Sequence, residues 1–103
     1  MIDPIKELSQ KYPDYIFIKL VTHSRKIKLN KSKFMTPYDM TVGHFLNSVR
    51  HRQNMDILPD QTLICLINDR VPRITDTLGE LYYKYRNNDG LLYISVESES
   101  VFG

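Results

Sequence analysis

The closing stretch Leu91-Leu-Tyr-Ile-Ser-Val-Glu-Ser-Glu-Ser-Val-Phe-Gly103 sets the reading of the whole chain. Its β-branched and aromatic start predicts a strand over Leu91–Val96, followed by a Ser/Glu segment too polar to bury itself. Past the strand runs a short arm carrying one aromatic residue and ending on the bare carboxylate of Gly103. Alone, these thirteen residues describe an ordinary frayed terminus. What precedes them must give the arm a purpose or leave it without one.

Working outward, 103 residues with 42% hydrophobic content make one domain, whose core must come from a single layer of helices on a single sheet. The net charge of +2 is unevenly placed: residues 1–54 carry +6 and residues 55–103 carry −4. The first half is therefore suited to acidic partners, whether peptide, phosphate or anionic membrane. A single cysteine excludes an internal disulfide, and Met-Ile-Asp-Pro lacks the layout of a signal peptide. A cytosolic setting is expected, in which Asn30-Lys31-Ser32 is a chance glycosylation match. No apolar run has the length of a membrane span, so membrane association would need a surface or a covalent lipid.

Asp3-Pro4 predicts a helix start and Ile5 and Leu8 fall three apart, giving a short helix to about Lys11 that Tyr12-Pro13-Asp14 breaks. Tyr15–Val21 alternates Ile16, Ile18 and Leu20 against Tyr15, Phe17 and Lys19, the pattern of a strand with one buried and one mixed face. A polar, basic loop spans residues 22–33, and Phe34-Met35-Thr36-Pro37 reads as a short edge strand, since proline cannot donate to a ladder. Thr41 caps a helix with Val42, Phe45, Leu46 and Val49 at i, i+3, i+4 and i+7, closed by Arg50-His51-Arg52. Thr62–Ile67 is short and continuously apolar, as a strand covered on both faces would be. Asn68-Asp69 supplies a turn and Val71-Pro72 a brief extension, before a helix opened by Asp76 or Thr77 and carrying Leu78, Leu81, Tyr82 and Tyr85. Asn87-Asn-Asp-Gly90 ends it and turns into the final strand. Helix, strand, strand, helix, strand, helix, strand is the order of an α+β β-grasp fold: a four-stranded mixed sheet, two main helices and a short N-terminal helical extension. In that topology the first and last strands are adjacent, parallel and central.

Catalysis finds little support. His44 and His51 lie seven apart on one helix, about 10 Å in rise, too far to share a metal ion. Cys65 sits mid-strand between apolar neighbours as a core residue rather than a nucleophile. No glycine-rich phosphate loop and no Ser/His/Asp set is present, so neither an enzyme, a metal nor a cofactor is expected. The lysines and arginines from Arg25 to Lys33 are not interleaved with stacking aromatics, which argues for a solvated loop and against nucleic acid. Beside a proline-ended edge strand, the same lysines suit an acidic, extended peptide added as a further strand.

Lys11-Tyr-Pro-Asp14, Lys33-Phe-Met-Thr-Pro37, Asp39-Met-Thr-Val-Gly-His-Phe45, Arg50-His-Arg52, Leu81-Tyr82, Asp89-Gly-Leu-Leu-Tyr93 and Val101-Phe-Gly103 occur in an order that resembles the GABARAP-type (microtubule-associated light chain-like) autophagy modifiers, ubiquitin-like proteins joined to phosphatidylethanolamine. The likeness runs in register from about Lys11 to Gly103, with a small deletion near Ser24–Asn30 and a small insertion near Asp56–Pro59. It implies a ubiquitin-like β-grasp domain over residues 15–97, an N-terminal helical extension over 1–14 and a flexible conjugation tail over 98–103. It further implies that the Gly103 carboxylate is activated by E1-like and E2-like enzymes, with Phe102 part of what they recognise and a cysteine protease acting in processing or deconjugation. Glycine suits that role, because an acyl carbon without a neighbouring Cβ enters narrow active sites with little crowding.

The resemblance also implies capture of cargo receptors and adaptors through short aromatic-x-x-aliphatic motifs with acidic neighbours, paired as a strand beside Lys33–Thr36. The aromatic would enter a pocket at Leu8, Phe17, Lys33, Met35 and Leu91. The aliphatic residue would enter one at Phe34, Thr36, Pro37, Met40, Phe45, Ser48 and Val49, with Lys31, Lys33 and Arg52 facing the acidic groups. The chain departs from the family at Phe17, commonly a proline, at Lys19, an aliphatic residue, and at Ser48, a leucine; the first of two N-terminal helices is expected to be missing. A first pocket partly filled by Phe17 and a less apolar second one follow from these departures. The implied setting is cytoplasmic, and an autophagosomal or vesicle membrane when lipidated. Two other readings stay open: an unconjugated ubiquitin-like adaptor, and a modifier joined to protein lysines.

Overall fold

A computed structural model describes residues 4–23, 27, 29, 31–52 and 61–100. The proposed Asp3 cap, much of the basic loop, the insertion near Asp56–Pro59 and the arm at residues 101–103 lie outside the described residues. The elements are α1 (Pro4–Lys11), β1 (Tyr15–Val21), β2 (Lys33–Pro37), α2 (Val42–Arg52), β3 (Gln61–Leu66), α3 (Leu78–Tyr85) and β4 (Leu92–Ser100). One sheet has the order β2-β1-β4-β3. β1 pairs antiparallel with β2 and parallel with β4, and β3 pairs antiparallel with β4, so the first and last strands are the two central ones. This is the β-grasp arrangement that the element order predicts.

The alternation in β1 sends Ile16, Ile18 and Leu20 into a core shared with Leu92, Ile94 and Val96 of β4 and with Leu63 and Cys65 of β3. α2 covers it with Val42, Phe45 and Val49, and α3 with Leu78 and Leu81. Ile18, Leu92, Ile94 and Val96 have no exposure at all, as central strands beneath two helices should. Both α2 and α3 are opened locally by a threonine: Thr41 Oγ1 accepts from the His44 N–H, and Thr77 Oγ1 from the Glu80 N–H. The Asn68-Asp69 turn is tight, both residues taking positive φ (54° and 63°) between Ile67 and Arg70, which exchange backbone hydrogen bonds.

Two expectations are corrected. β3 is a sheet edge with Ile64 and Leu66 half-buried, not a strand covered on both faces; the two main helices cover only the face that Leu63 and Cys65 share. β4 continues past Val96 to Ser100, pairing Ser98, Glu99 and Ser100 with Leu63, Thr62 and Gln61. Residues 98–100, expected at the start of a free tail, are therefore sheet: a ladder is built from backbone groups and needs no apolar side chains where an antiparallel neighbour is at hand.

Two glycines permit close approaches that hold this arrangement. Gly79 donates its N–H to the Tyr38 carbonyl (2.8 Å), and a Cβ there would stand 2.6 Å from that same oxygen. Gly90 has φ +82°, and a Cβ on it would meet Ile5 Cγ2 at 2.8 Å, so α1 rests directly on the turn before β4. Replacing Gly79 by alanine drives the added methyl into the Tyr38 carbonyl oxygen and against the Cβ and ring of the same residue, both at 2.9 Å. A loss of about 1–3 kcal/mol is expected, read as a lowered midpoint in chemical denaturation with an unchanged m value.

Candidate functional site: two grooves flanking one free strand edge

β2 is the edge strand from which the site is built. The flanking bonds Leu20 N–H to Ser32 O and Tyr38 N–H to Asp14 O fix the alternation of the ladder. Together with the register Tyr15↔Pro37 to Lys19↔Lys33, they make Phe34 and Thr36 the residues bonded to β1. Lys33 and Met35 consequently turn their N–H and C=O groups away from the sheet. Pro37 falls at an outward position, where a missing N–H costs the sheet nothing. The edge thus offers backbone donors and acceptors to an added strand.

Side chains alternate as the backbone does. Phe34 and Thr36 point to the α2 side, where the Phe34 ring meets Phe45 edge-on at 6.1 Å between centroids. There they line a groove of about 220 Å³ together with Pro37, Met40, Phe45, Ser48 and Val49, all seven residues expected of the second pocket. His44 and Met35 complete it. The groove is mixed in polarity: Ser48 and His44 join the rim, and the buried Thr36 hydroxyl (residue 7% exposed) finds no hydrogen-bond partner within the described residues.

Lys33 and Met35 point to the α1 side. A larger groove of about 740 Å³ lies there, and Leu8, Phe17, Lys33, Met35 and Leu91, the five residues expected of the first pocket, all line it. Phe17 and Leu91 form its floor at 3% and 7% exposure; Phe17 lies beneath the open space. α1 makes one wall through Pro4, Ile5 and Leu8, although none of its residues is fully buried. Lys31, expected among the groups facing acidic neighbours, lines this groove too and places its Nζ 5.4 Å from the Phe34 ring centroid. Arg52 is the last residue of α2, and the arm with Phe102 and Gly103 lies outside the described residues.

Sequence reasoning passed over Pro4, Ile5, Asp89 and Tyr93 in the larger groove and His44 in the smaller, and named Lys19 only as a departure from the family and not as a lining residue. Some were within reach. Lys19 and Tyr93 share the strand face of Phe17 and Leu91 by period two, and His44 precedes Ser48 by one helical turn. Asp89 was not, because it arrives from the turn before β4. It is held there by two hydrogen bonds: Tyr93 Oη donates to Oδ2 (2.6 Å) and the Leu91 N–H to Oδ1 (3.0 Å). The Tyr93 bond is the main cause that lowers the Asp89 carboxyl below its ordinary value, and the same bond raises the Tyr93 phenol above its own. Away from the grooves, burial pushes the Cys65 thiol up to about 11, in keeping with its place in the core.

An α+β sheet of order β2-β1-β4-β3 with its first and last strands parallel at the centre defines the ubiquitin-like β-grasp class. The family described as "Autophagy protein Atg8 ubiquitin like" matches residues 3–103, and this chain belongs to the Atg8 family. It is 32% identical over 95 residues to Autophagy-related protein 8h of Arabidopsis thaliana, covering 90% of this chain and 78% of that protein. Among solved structures it resembles Trypanosoma brucei ATG8 (TM-score 0.81, 29% identity, 96% of this chain and 85% of that one). It also resembles Plasmodium falciparum Atg8, solved in complex with a Plasmodium falciparum Atg3 peptide (TM-score 0.74, 28% identity, 93% and 85%).

The Asp89–Tyr93 bond carries a pH signature. A carboxyl with a depressed folded pKa contributes stability above its unfolded value and loses it as pH falls through the folded one; a raised phenol contributes below its unfolded value and loses it as pH rises. The difference in thermal stability between the wild type and Tyr93→Phe should hence be level between about pH 5 and 9 and shrink outside that window. The Asp89 carboxyl carbon, followed by NMR, should titrate at lower pH in the wild type than in Tyr93→Phe.

Proposed function

We propose that this chain is a ubiquitin-like modifier joined through the Gly103 carboxylate to phosphatidylethanolamine on autophagic membranes, where it recruits receptors carrying short aromatic-x-x-aliphatic motifs. The observation that carries the reading is the placement of the two grooves on opposite faces of one free strand edge. In an extended peptide, side chains an odd number of residues apart point to opposite faces, and three residues span about 10 Å. A peptide added beside Lys33–Pro37 thereby sends residue i into the larger groove and residue i+3 into the smaller, while its backbone bonds the outward groups of Lys33 and Met35. Lys31 and Lys33 lie on the side its acidic flank would occupy, and the family resemblance implies Arg52 as a third partner.

Conjugation is supported by the family match, which extends through Gly103. An E2-like enzyme as partner is supported by the relative solved with an Atg3 peptide. The chain is then the substrate of E1-like and E2-like enzymes and of a deconjugating cysteine protease, rather than an enzyme itself. No described helix is long and apolar enough to cross a membrane, so the lipid would provide the attachment, moving the chain between cytoplasm and autophagosomal or vesicle membrane.

Reconstitution with E1-like and E2-like enzymes, ATP and phosphatidylethanolamine liposomes tests the first half. A lipid adduct lost on deleting Gly103 is expected; no adduct with cognate enzymes favours an unconjugated adaptor, and an isopeptide on a lysine favours a protein modifier. Titration with acidic aromatic-x-x-aliphatic peptides tests the second. Met35→Asp, at a half-exposed position shared by both grooves, should weaken binding by about tenfold or more with little change in melting temperature.

A further inference from the structure

The larger groove is two-sided in a way that an unmodified aromatic residue does not use. Across the sheet, paired residues form rows on one face. Met35, Phe17 and Leu91 make an apolar row, since Phe17 pairs with Met35 and the parallel register that sets Ile18 beside Leu92 sets Phe17 beside Leu91. The next row is Lys33, Lys19 and Tyr93. Lys19 and Lys33 are therefore directly opposite, at a non-hydrogen-bonded pair where Cα atoms approach to about 4.5 Å, an unfavourable place for two like charges. Lys31 lines the same groove, and Lys19 is held at that corner by its Nζ donating to Ser32 Oγ (2.9 Å). Lys19 and Lys33 share the lining with one carboxylate among the described residues, Asp89, which accepts from the Leu91 amide and the Tyr93 phenol and is stabilised in its charged form by Lys33.

We infer that this groove accepts a phosphotyrosine at the aromatic position of the motif, with Lys19 as the residue that selects it. The inference rests on the strand-addition reading above. An acidic residue on the peptide's flank stays at the β2 edge, near Lys31 and Lys33. Lys19 stands on β1, about 4.8 Å farther in, and is met by a group at the tip of a side chain that has entered the groove. The cationic row runs beside the apolar one, two residues or about 6.6 Å along each strand, so a phosphate on a ring lying over the apolar row comes within reach of the long Lys19 side chain. A phosphate there brings about −1.5 to −2 charge and acceptors for several ammonium protons, relieving the Lys19–Lys33 juxtaposition. An ammonium has three donors, so Lys19 can keep Ser32 and still bond the phosphate.

Four peptides identical except for Phe, Trp, Tyr or phosphotyrosine at the aromatic position, titrated by fluorescence anisotropy, test this. The phosphotyrosine peptide should bind about tenfold more tightly than its tyrosine counterpart, the gain falling as salt rises. Lys19→Leu should collapse the phosphotyrosine-to-tyrosine ratio, and Lys19→Arg should retain most of it. A phosphoserine placed before an unmodified phenylalanine should gain affinity that does not depend on Lys19. Phosphotyrosine binding no better than tyrosine, or a ratio that survives Lys19→Leu, overturns the inference while leaving the groove reading intact. Failure of all four peptides to bind overturns both.

Discussion

The parallel pairing of β1 with β4 is the constraint on which the other features depend. Ile18 lies beside Leu92 and Leu20 beside Ile94, and all four are at most 1% exposed. Bringing these two strands together from opposite ends of the chain closes a long loop, a cost met by burial beneath α2 and α3. Once they occupy the centre, β2 and β3 can only be edges. β2, short and ended by Pro37, keeps its outer side open, whereas β3 uses its inner side to carry β4 as far as Ser100.

From that edge the geometry of both grooves follows. Period two sends neighbouring β2 side chains to opposite faces, and the sheet carries a helix on each: α1 over Phe17, α2 over Thr36. Each groove is the gap between a helix and the edge strand, which explains why Phe34 and Met35 line both. The departures at Phe17, Lys19 and Ser48 gain definite meaning here. Phe17 forms the floor of one groove, Lys19 places an ammonium on its lining, and Ser48 a hydroxyl on the lining of the other. Two grooves built on one strand thus differ in the chemistry of their linings.

The polar groups around these grooves differ in how they are held. Asp89 is occupied from within, by the Leu91 amide and the Tyr93 phenol, and so positions the turn before β4 that α1 rests upon. Tyr82 acts similarly from the other side, its Oη donating to the Gly90 carbonyl at 2.6 Å. The lysines differ: Lys33 is exposed and Lys19 half-buried, both at the mouth of an apolar groove, where long side chains lay their stems on apolar surface and keep their charges outward.

Much of the fold was legible in the amino-acid sequence because local rules governed it. The alternation of Ile16, Ile18 and Leu20, the helical spacing of Val42, Phe45 and Val49, the Thr41 and Thr77 caps and the Asn68-Asp69 turn each depend on residues within a few positions of one another. The groove residues on β2 and the adjoining helices were legible by resemblance to the family. Other features depended on partners distant in the chain. Ser98–Ser100 join the sheet because Gln61–Leu63 lie beside them, Ile64 and Leu66 are half-buried because the main helices cover only the opposite face, and Gly79 must be glycine because Tyr38 passes within bonding distance. The same holds for Lys19 opposite Lys33 and beside Tyr93: fourteen and seventy-four positions separate them in sequence, and only the pairing of strands makes them one row. Sequence alone determined the elements and the character of their faces; the tertiary structure decided which faces meet, because strand pairing and charge act through space and not along the chain.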